Sequence, residues 1–143
     1  KRIGCIGCPM QGYNGMKSEF EKIVEENNKQ DCVKVLAFTN KVPELMSISD
    51  LVISKPGGLT TSESLASNLP MIIINPIPGQ EEENAEFLES KGTGIWLRKD
   101  DSSREVLKSV IDNPEKLNMM KKNTETLAKK HSTENICKIL LKN

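Results

Sequence analysis

Aromatic residues are scarce in this sequence of 143 residues, which has one Trp, one Tyr and three Phe. A platform that stacks the bases of single-stranded nucleic acid would need more of them. An excess of charge of either sign is also lacking, because 20 Lys and Arg balance 20 Asp and Glu. A neutral chain has no general attraction for nucleic acid or for an anionic membrane. The composition therefore argues against nucleic-acid binding.

Long apolar runs are lacking as well. A membrane-spanning helix needs about 18 consecutive apolar residues, and the longest buried run, Met71 to Ile74, has the length of a strand. The start of the chain, Lys1 to Cys8, is too short for the core of a signal peptide and has no small-residue cleavage site. We therefore expect a cytoplasmic chain of the size of one domain.

Metal ligands are few. His131 is the only histidine, and we expect it to lie on the surface. Cys5 and Cys8 have a C-x-x-C spacing, but a zinc site would need two more ligands at similar spacing. A redox C-x-x-C normally opens a helix, whereas this pair ends a predicted strand before Pro9. We therefore predict no metal site and interpret the cysteines as reduced and structural, with zinc or redox chemistry as the alternative.

Short apolar runs alternate with amphipathic segments along the chain. The runs predict strands at residues 3–8, 33–38, 51–54, 71–74 and 94–97. Apolar residues at helical spacing predict helices at residues 16–26, 43–48, 60–67, 81–90 and from 102 onward, and residues 9–15 predict a loop. Fully apolar strands joined by helices are typical of a parallel sheet covered on both faces. The sequence therefore predicts one α/β domain over residues 1–143, a Rossmann-like, doubly wound parallel sheet.

The segment from Ser54 to Glu63 joins a predicted strand to a predicted helix. In a doubly wound sheet the ligand lies beyond the carboxyl ends of the strands, where such segments meet. Gly57 and Gly58 allow a ligand to approach the backbone closely. The helix start offers unpaired N–H groups and the positive end of the helix dipole. This segment therefore predicts a site for a phosphate or a diphosphate.

Polar side chains near the start of the same helix extend this hypothesis. Thr60, Thr61 and Ser62 supply hydroxyl groups, and Glu63 lies in the predicted first turn. A carboxylate at that place can accept both hydroxyls of a ribose, as acidic residues do in other nucleotide folds. The alternative is a capping box, in which Thr60 is the N-cap and Glu63 follows three residues later. The spacing of these residues alone leaves both interpretations open.

A second strand-to-helix segment, Asn75 to Asn84, follows the next predicted strand and is expected to lie beside the first. Gln80, Glu81 and Asn84 could donate hydrogen bonds to sugar hydroxyls or accept them, and Gln80 and Asn84 share one helix face. The alternative is an acidic helix start that favours the dipole. After the predicted strand at 33–38, backbone groups of Phe38, Thr39 and Asn40 could bracket a base.

Two long motifs resemble a known family. The similarity is to the C-terminal half of GT-B glycosyltransferases. It is carried by D-L-V-I-S-K-P-G-G-L-T-T-S-E-S-L-A, then L-P-M-I-I-I-N-P-I-P-G-Q-E-E-E-N-A and G-T-G-I. The nearest groups in this resemblance are the monogalactosyldiacylglycerol synthases and the processive diacylglycerol glucosyltransferases. The resemblance covers residues 33–97 well and the terminal helices loosely, while residues 1–15 depart from it.

The resemblance implies a function, which is transfer of a hexose, glucose or galactose, from a UDP-sugar to a diacylglycerol-type lipid. It places the uracil beside Phe38 and Thr39, and it places the ribose on Glu63. It implies that the diphosphate is held, without a bound metal or other cofactor, by Gly57, Gly58, Leu59 and Thr60. It places the donor sugar against Gln80, Glu81 and Asn84. The catalytic base is expected in the N-terminal, acceptor-binding half of such enzymes.

Two other functions stay open beside this one. The chain could be the donor-binding subunit of a two-subunit glycosyltransferase, or a GT-B-like UDP-sugar epimerase. An epimerase needs acid–base residues near the sugar, where the sequence offers only Glu81 to Glu83. The resemblance also implies peripheral association with the inner face of the cell membrane.

Overall fold

The computed structural model describes residues 4–5, 14–36, 39–128 and 132–141. These residues belong to two compact units. The larger unit comprises Lys1–Ile6 and Pro43–Asn143, and the smaller unit comprises Gly7–Val42. The sheet lies in the larger unit.

The sheet has four parallel strands in the order β1-β2-β3-β4. They are β1 (Gly4–Cys5), β2 (Val52–Ser54), β3 (Met71–Ile73) and β4 (Gly94–Trp96). The helices are α1 (Asn14–Glu26), α2 (Val42–Ile48), α3 (Gly58–Ala66), α4 (Gln80–Ser90), α5 (Ser103–Ile111), α6 (Pro114–Leu127) and α7 (Ser132–Leu140). Every pairing in this sheet is parallel, so the α/β fold with a parallel sheet is confirmed.

One face of the sheet carries a row of isoleucines. Ile53 pairs with Ile72, and Ile72 pairs with Ile95. Ile72 is 1% exposed and belongs to a buried cluster that also contains residues of α5 and α6. The other members of that cluster are Leu51, Val110, Leu117 and Met120. Helices α5 and α6 therefore cover this face.

The opposite face packs against α4. Met71 and Ile73 point to this face, because successive side chains of a strand alternate. Gly94 in β4 lies there too, since a Cβ atom on it would be 2.9 Å from Cδ1 of Ile73 and 3.1 Å from Cβ of Leu88 in α4. The sheet is thus covered on both faces, as the apolar strands predict.

Side-chain hydrogen bonds cap the starts of α5 and α6, and a glycine follows the end of α4. The Ser102 side chain accepts a hydrogen bond from the backbone N–H of Glu105 at the start of α5, at 3.4 Å. Asn113 does the same for Lys116 at the start of α6, at 3.0 Å. Gly92, with a φ of 64°, follows the end of α4. Such a positive φ favours glycine.

The predicted strand at 33–38 is wrong for residues 33–36, which form no strand. The backbone N–H of Val33 donates to the carbonyl of Lys29 at 2.9 Å, so it continues the turns that follow α1. That N–H is not available to a neighbouring strand, and the Val33 and Leu36 side chains are exposed. Ala37 and Phe38 lie outside the described residues.

Other predictions fall near the start of the chain. Asn14 and Gly15 belong to α1 and not to the loop predicted at 9–15. The rest of that loop, Cys8 and His131 lie outside the described residues.

Cys32 and Cys137 are free thiols in exposed positions. Within the described ranges, each helix is too short or too polar to cross a bilayer.

Candidate functional site

The segments after β2 and β3 lie side by side at the carboxyl edge of the sheet. Strands β2 and β3 are parallel neighbours, so both chains leave the sheet at the same edge. The backbone N–H of Ile74 donates to the carbonyl of Ser54 at 3.1 Å. One step further out, Nδ2 of Asn84 donates to the carbonyl of Pro56 at 2.9 Å. The predicted proximity of the two segments is confirmed.

The start of α3 is open. Its N-cap is Gly57, which is extended (φ −61°, ψ 149°) and has no side chain to cap the helix. The carbonyl of Gly57 accepts the first helical hydrogen bond, from the N–H of Thr61 at 2.8 Å. In every α-helix the N–H groups before that bond have no partner within the helix. Here they belong to Gly58, Leu59 and Thr60, and a Cβ atom on Gly58 would meet no atom within 4 Å.

These features create a place for an anion. The three N–H groups and the positive end of the helix dipole favour negative charge at a helix start. Leu59 is 83% exposed, so the helix start itself is accessible to solvent. The backbone of α3 therefore presents donors to any phosphate group that approaches Gly58.

The capping-box interpretation of Thr60 and Glu63 is wrong. Helix α3 begins at Gly58, two residues before Thr60, because the carbonyl of Gly57 already accepts the first helical bond. Glu63 is therefore the sixth helical residue and lies in the second turn, not in the first. Its side chain is exposed, which leaves the carboxylate accessible to a ligand.

The three hydroxyl side chains of α3 differ in their availability. Thr61 is 8% exposed, and its buried Oγ1 has no hydrogen-bond partner among the described residues. The hydroxyl of Ser62 donates to the carbonyl of Gly58 at 2.8 Å, within the helix. Thr60 is half-buried. The hydroxyls of Thr61 and Ser62 are therefore less available to a ligand than the sequence suggests.

Helix α4 begins with groups that hold the segment before it. Its N-cap, Gly79, has a φ of 99°, a conformation that favours glycine. Oε2 of Glu81 accepts a hydrogen bond from the N–H of Ile77 at 2.8 Å. A Cβ atom on Gly57 would lie 3.8 Å from Oε1 of the same carboxylate. Glu81 is therefore close to the start of α3, while Gln80 is exposed beside it.

The structure thus brings together most of the predicted site. The segments with Gly57 to Glu63 and Gln80 to Asn84 share one edge of the larger unit. Thr39 belongs to the smaller unit, where its Oγ1 accepts a hydrogen bond from the N–H of Lys41 at 3.0 Å. Phe38 lies outside the described residues, so the predicted base site stays a prediction.

A cluster after β4 was missed by the sequence analysis. The guanidinium of Arg98 lies 3.9 Å from the ring centroid of Trp96 and donates two hydrogen bonds to Glu89, at 2.8 and 3.2 Å. The hydrogen bonds from Arg98 hold the pKa of Glu89 below its usual value. A groove of about 530 Å³ runs from this cluster to Asn75 and Pro76. The only Trp of the chain, two residues before an Arg at a strand end, was the available signal.

Within the described part of the chain, His, Cys, Asp and Glu side chains form no group of three or more that could hold a metal ion. The donors gathered at the start of α3 are backbone N–H groups, which suit an anion.

Comparison with known families gives an extended match. Residues 11–139 match the model of the glycosyltransferase family 28 C-terminal domain. That range contains both strand-to-helix segments described above and the cluster after β4.

Three relatives of this chain all have one name, processive diacylglycerol beta-glucosyltransferase. The chain is 36% identical over 127 residues to a processive diacylglycerol beta-glucosyltransferase of Bacillus subtilis, a match that covers 89% of this chain and 33% of that protein. It is 38% identical over 128 residues to the protein of that name from Staphylococcus epidermidis, with the same coverage. It is 37% identical over 111 residues to the protein of that name from Bacillus pumilus, a match that covers 78% of this chain and 29% of that protein. The chain therefore spans about a third of the length of these relatives.

Solved structures share the fold at low sequence identity. The crystal structure of MurG from Acinetobacter baumannii has a TM-score of 0.71 and 19% identity, over 99% of this chain and 50% of that one. The glycotransferase of kitacinnamycin has a TM-score of 0.60 and 14% identity, over 96% and 43%. The described sheet and its helices thus have the fold of half of each of these transferases.

Proposed function

Because the chain belongs to the glycosyltransferase family 28 C-terminal domain, we propose that it is the nucleotide-sugar-binding domain of a hexosyltransferase. In this proposal residues 1–143 act as one domain that binds a UDP-sugar. The acceptor is a diacylglycerol-type lipid, bound by another part of the enzyme. The names of the relatives specify glucose and diacylglycerol. They support a hexose as the transferred sugar and a diacylglycerol-type lipid as the acceptor.

The open start of α3 is the observation that carries this proposal. A diphosphate bound there would receive hydrogen bonds from the N–H groups of Gly58, Leu59 and Thr60. When the sugar is transferred, negative charge grows on the departing UDP. Donors that are already fixed by the helix stabilise that charge without having to reorganise, which lowers the barrier. The chain thus contributes to catalysis through the leaving group.

We assign the remaining site residues the roles that the resemblance to the family implies. Glu63 binds the ribose hydroxyls from the exposed side of α3. Gln80, Glu81 and Asn84 form the side of the site that receives the hexose, while Phe38 and Thr39 bracket the uracil. The catalytic base belongs to the acceptor-binding part, and the enzyme works at the inner face of the cell membrane.

Calorimetric titration of the protein with UDP, UDP-glucose and UDP-galactose tests the proposal. We expect saturable binding of UDP and tighter binding of UDP-glucose than of UDP-galactose, in line with the names of the relatives. Absence of UDP binding would overturn the assignment of the donor site. Equal or reversed preference for the two sugars would overturn the choice of glucose.

Replacing Glu63 with Ala is expected to weaken UDP binding by roughly 10- to 100-fold, because hydrogen bonds to a charged group contribute about 1.5–3 kcal/mol. The melting temperature should stay nearly unchanged, since the side chain is exposed. Calorimetry with UDP and with its 2′-deoxy analogue measures the effect. The deoxy analogue should lose less affinity than UDP, because it lacks one of the two hydroxyls.

Glu125, an exposed glutamate in α6, provides the control. Glu125→Ala removes the same charge from a different helix, which carries none of the proposed site residues, and should leave UDP affinity unchanged. If both variants lost affinity equally, a general charge effect would explain the loss and the ribose role of Glu63 would be wrong.

A further inference from the structure

The groove after β4 contains one aromatic side chain that the fold holds in place. The backbone N–H of Trp96 donates to Oε1 of Glu89 at 3.1 Å, and its carbonyl accepts a hydrogen bond from Nη1 of Arg98 at 2.8 Å. The Arg98 guanidinium also donates to both carboxylate oxygens of Glu89 and lies 3.9 Å from the centroid of the indole. Trp96 is therefore positioned before a ligand arrives, which reduces the entropy lost on binding.

Polar groups of both kinds surround the indole. Lys99 and Asn75 line the groove and can donate hydrogen bonds, while Glu82 and Asp101 line it and can accept them. Each of these carboxylates accepts one backbone N–H, at 3.4 Å for Glu82 and at 2.7 Å for Asp101. A carboxylate has about four acceptor sites, so both keep the capacity to bind a ligand.

The backbone of Asn75 is unusual. Its φ is 41°, in the left-handed region that residues other than glycine seldom adopt. Residues held in such a conformation cluster at binding sites, where the surrounding structure maintains them. The conformation lies at the end of the groove opposite Trp96, in the segment that leads into α4.

This combination suits a pyranose sugar. Sugar hydroxyls both donate and accept hydrogen bonds, and the C–H groups of a pyranose ring can pack against an indole. An acyl chain would leave the charges of Glu82, Lys99 and Asp101 without partners, and a phosphate would meet two carboxylates. The groove volume of about 530 Å³ lies within the range of about 300–1,000 Å³ that is typical of small-molecule sites.

We propose that this groove binds the hexose of a glycosylated lipid and is a second sugar site beside the donor site. Gln80, Glu81 and Asn84, to which the donor hexose is assigned, are not among the residues that line it. A diacylglycerol that has received a hexose is the product of the proposed reaction, and its sugar has the chemistry that the groove fits. The identity of the ligand thus rests on the proposed function.

Saturation-transfer NMR with methyl β-D-glucopyranoside, a soluble substitute for the lipid-borne sugar, tests the groove. We expect saturable binding to the unsubstituted protein, measured on the O-methyl signal, and about fivefold weaker binding to Trp96→Leu, as the loss of one aromatic contact implies. Trp96→Leu should keep its affinity for UDP, which shows that it is folded. Sorbitol, which has hydroxyls but no ring, should not bind.

Phe87 in α4 provides the matched control. Its ring also lies under a cation, since Nζ of Lys91 is 5.9 Å from the ring centroid, but it does not line the groove. Phe87→Leu should bind the glucoside as the unsubstituted protein does. Should Trp96→Leu not fold, Lys99→Ala and Lys91→Ala give the same comparison, because both lysines are exposed and only Lys99 lines the groove.

A titration in the presence of saturating UDP-glucose separates the two sources of a hexose. The glucoside should bind equally well with and without UDP-glucose. Displacement by UDP-glucose would place the glucoside in the donor site and overturn the inference, as would absence of binding or an equal affinity of Trp96→Leu and Phe87→Leu. Failure of the unsubstituted protein to bind UDP would overturn the proposed function instead, and it is measured independently of the glucoside.

Discussion

Replacing Gly58 with Asp is expected to reduce UDP affinity at least about 100-fold and to raise the melting temperature slightly. A carboxylate at the first residue of α3 interacts favourably with the helix dipole, by about 0.3–1 kcal/mol. A Cβ atom on Gly58 meets no neighbour within 4 Å, so the fold should accommodate the side chain. The same carboxylate would repel a diphosphate by roughly 3–4 kcal/mol at close range near a protein surface. Calorimetry and thermal unfolding measure the two opposite effects.

Ser103, the first residue of α5, provides the control for this experiment. Ser103→Asp places a carboxylate at the start of another helix and should not change UDP affinity. If Gly58→Asp kept the UDP affinity of the unsubstituted protein, the diphosphate would not lie at the start of α3. The open start of α3 would then no longer support the proposed function.

Replacing Gly94 with Val is expected to lower the free energy of unfolding by about 3 kcal/mol, the upper part of the range for overpacked cores. A Cβ atom there would lie 2.9 Å from Cδ1 of Ile73, 3.1 Å from Cβ of Leu88 and 3.3 Å from the backbone carbonyl of Met71. The carbonyl is fixed by the sheet, so the added methyl groups must push α4 away from β4. Urea denaturation followed by circular dichroism measures the loss.

Gly58→Ala is the matched control for the stability experiment, because the added Cβ meets no neighbour. It should leave the urea midpoint unchanged or raise it slightly, since alanine restricts the unfolded chain more than glycine does. A midpoint for Gly94→Val equal to that of the unsubstituted protein would show that β4 and α4 are not packed as described.

Strands β2, β3 and β4 were predictable because each lies in a short, largely apolar run between turn residues. Strands β2, β3 and β4 lie within one residue of the predicted bounds. The adjacency of the two site segments followed from the parallel sheet, since neighbouring parallel strands end at the same edge. Local pattern and a general property of the fold together were sufficient there.

The start of α3 was not predictable from propensity. Glycine is a poor helix former, so the pattern favoured a start at Thr60, whereas α3 begins at Gly58. An N-cap requires an extended backbone whose carbonyl accepts the first bond, and Gly57 meets both conditions without a side chain. The strand expected at 33–38 is absent over residues 33–36 for a related reason, because an apolar β-branched run forms a strand only where a partner strand accepts its hydrogen bonds.

Contacts between residues far apart in the chain could not be predicted from the sequence either. The sequence places Gln80 and Asn84 on one helix face, but the partner of Asn84 is a carbonyl 28 residues earlier. Such a bond leaves no periodic signal, since any residue can supply a backbone carbonyl. The Arg98 side chain likewise finds Glu89 nine positions away, across the turn between α4 and β4.

The single Trp of the chain makes the carboxyl edge of the sheet visible to fluorescence spectroscopy. Trp96 is half-buried at the end of β4, under the guanidinium of Arg98, and it lines the groove that reaches Asn75 and Pro76. Intrinsic tryptophan emission therefore comes from one known place, beside the segment that leads into α4. Unfolding separates the indole from its cation and exposes it to water, which shifts the emission to longer wavelengths. Rearrangement of the neighbouring segment can thus be followed optically without a label.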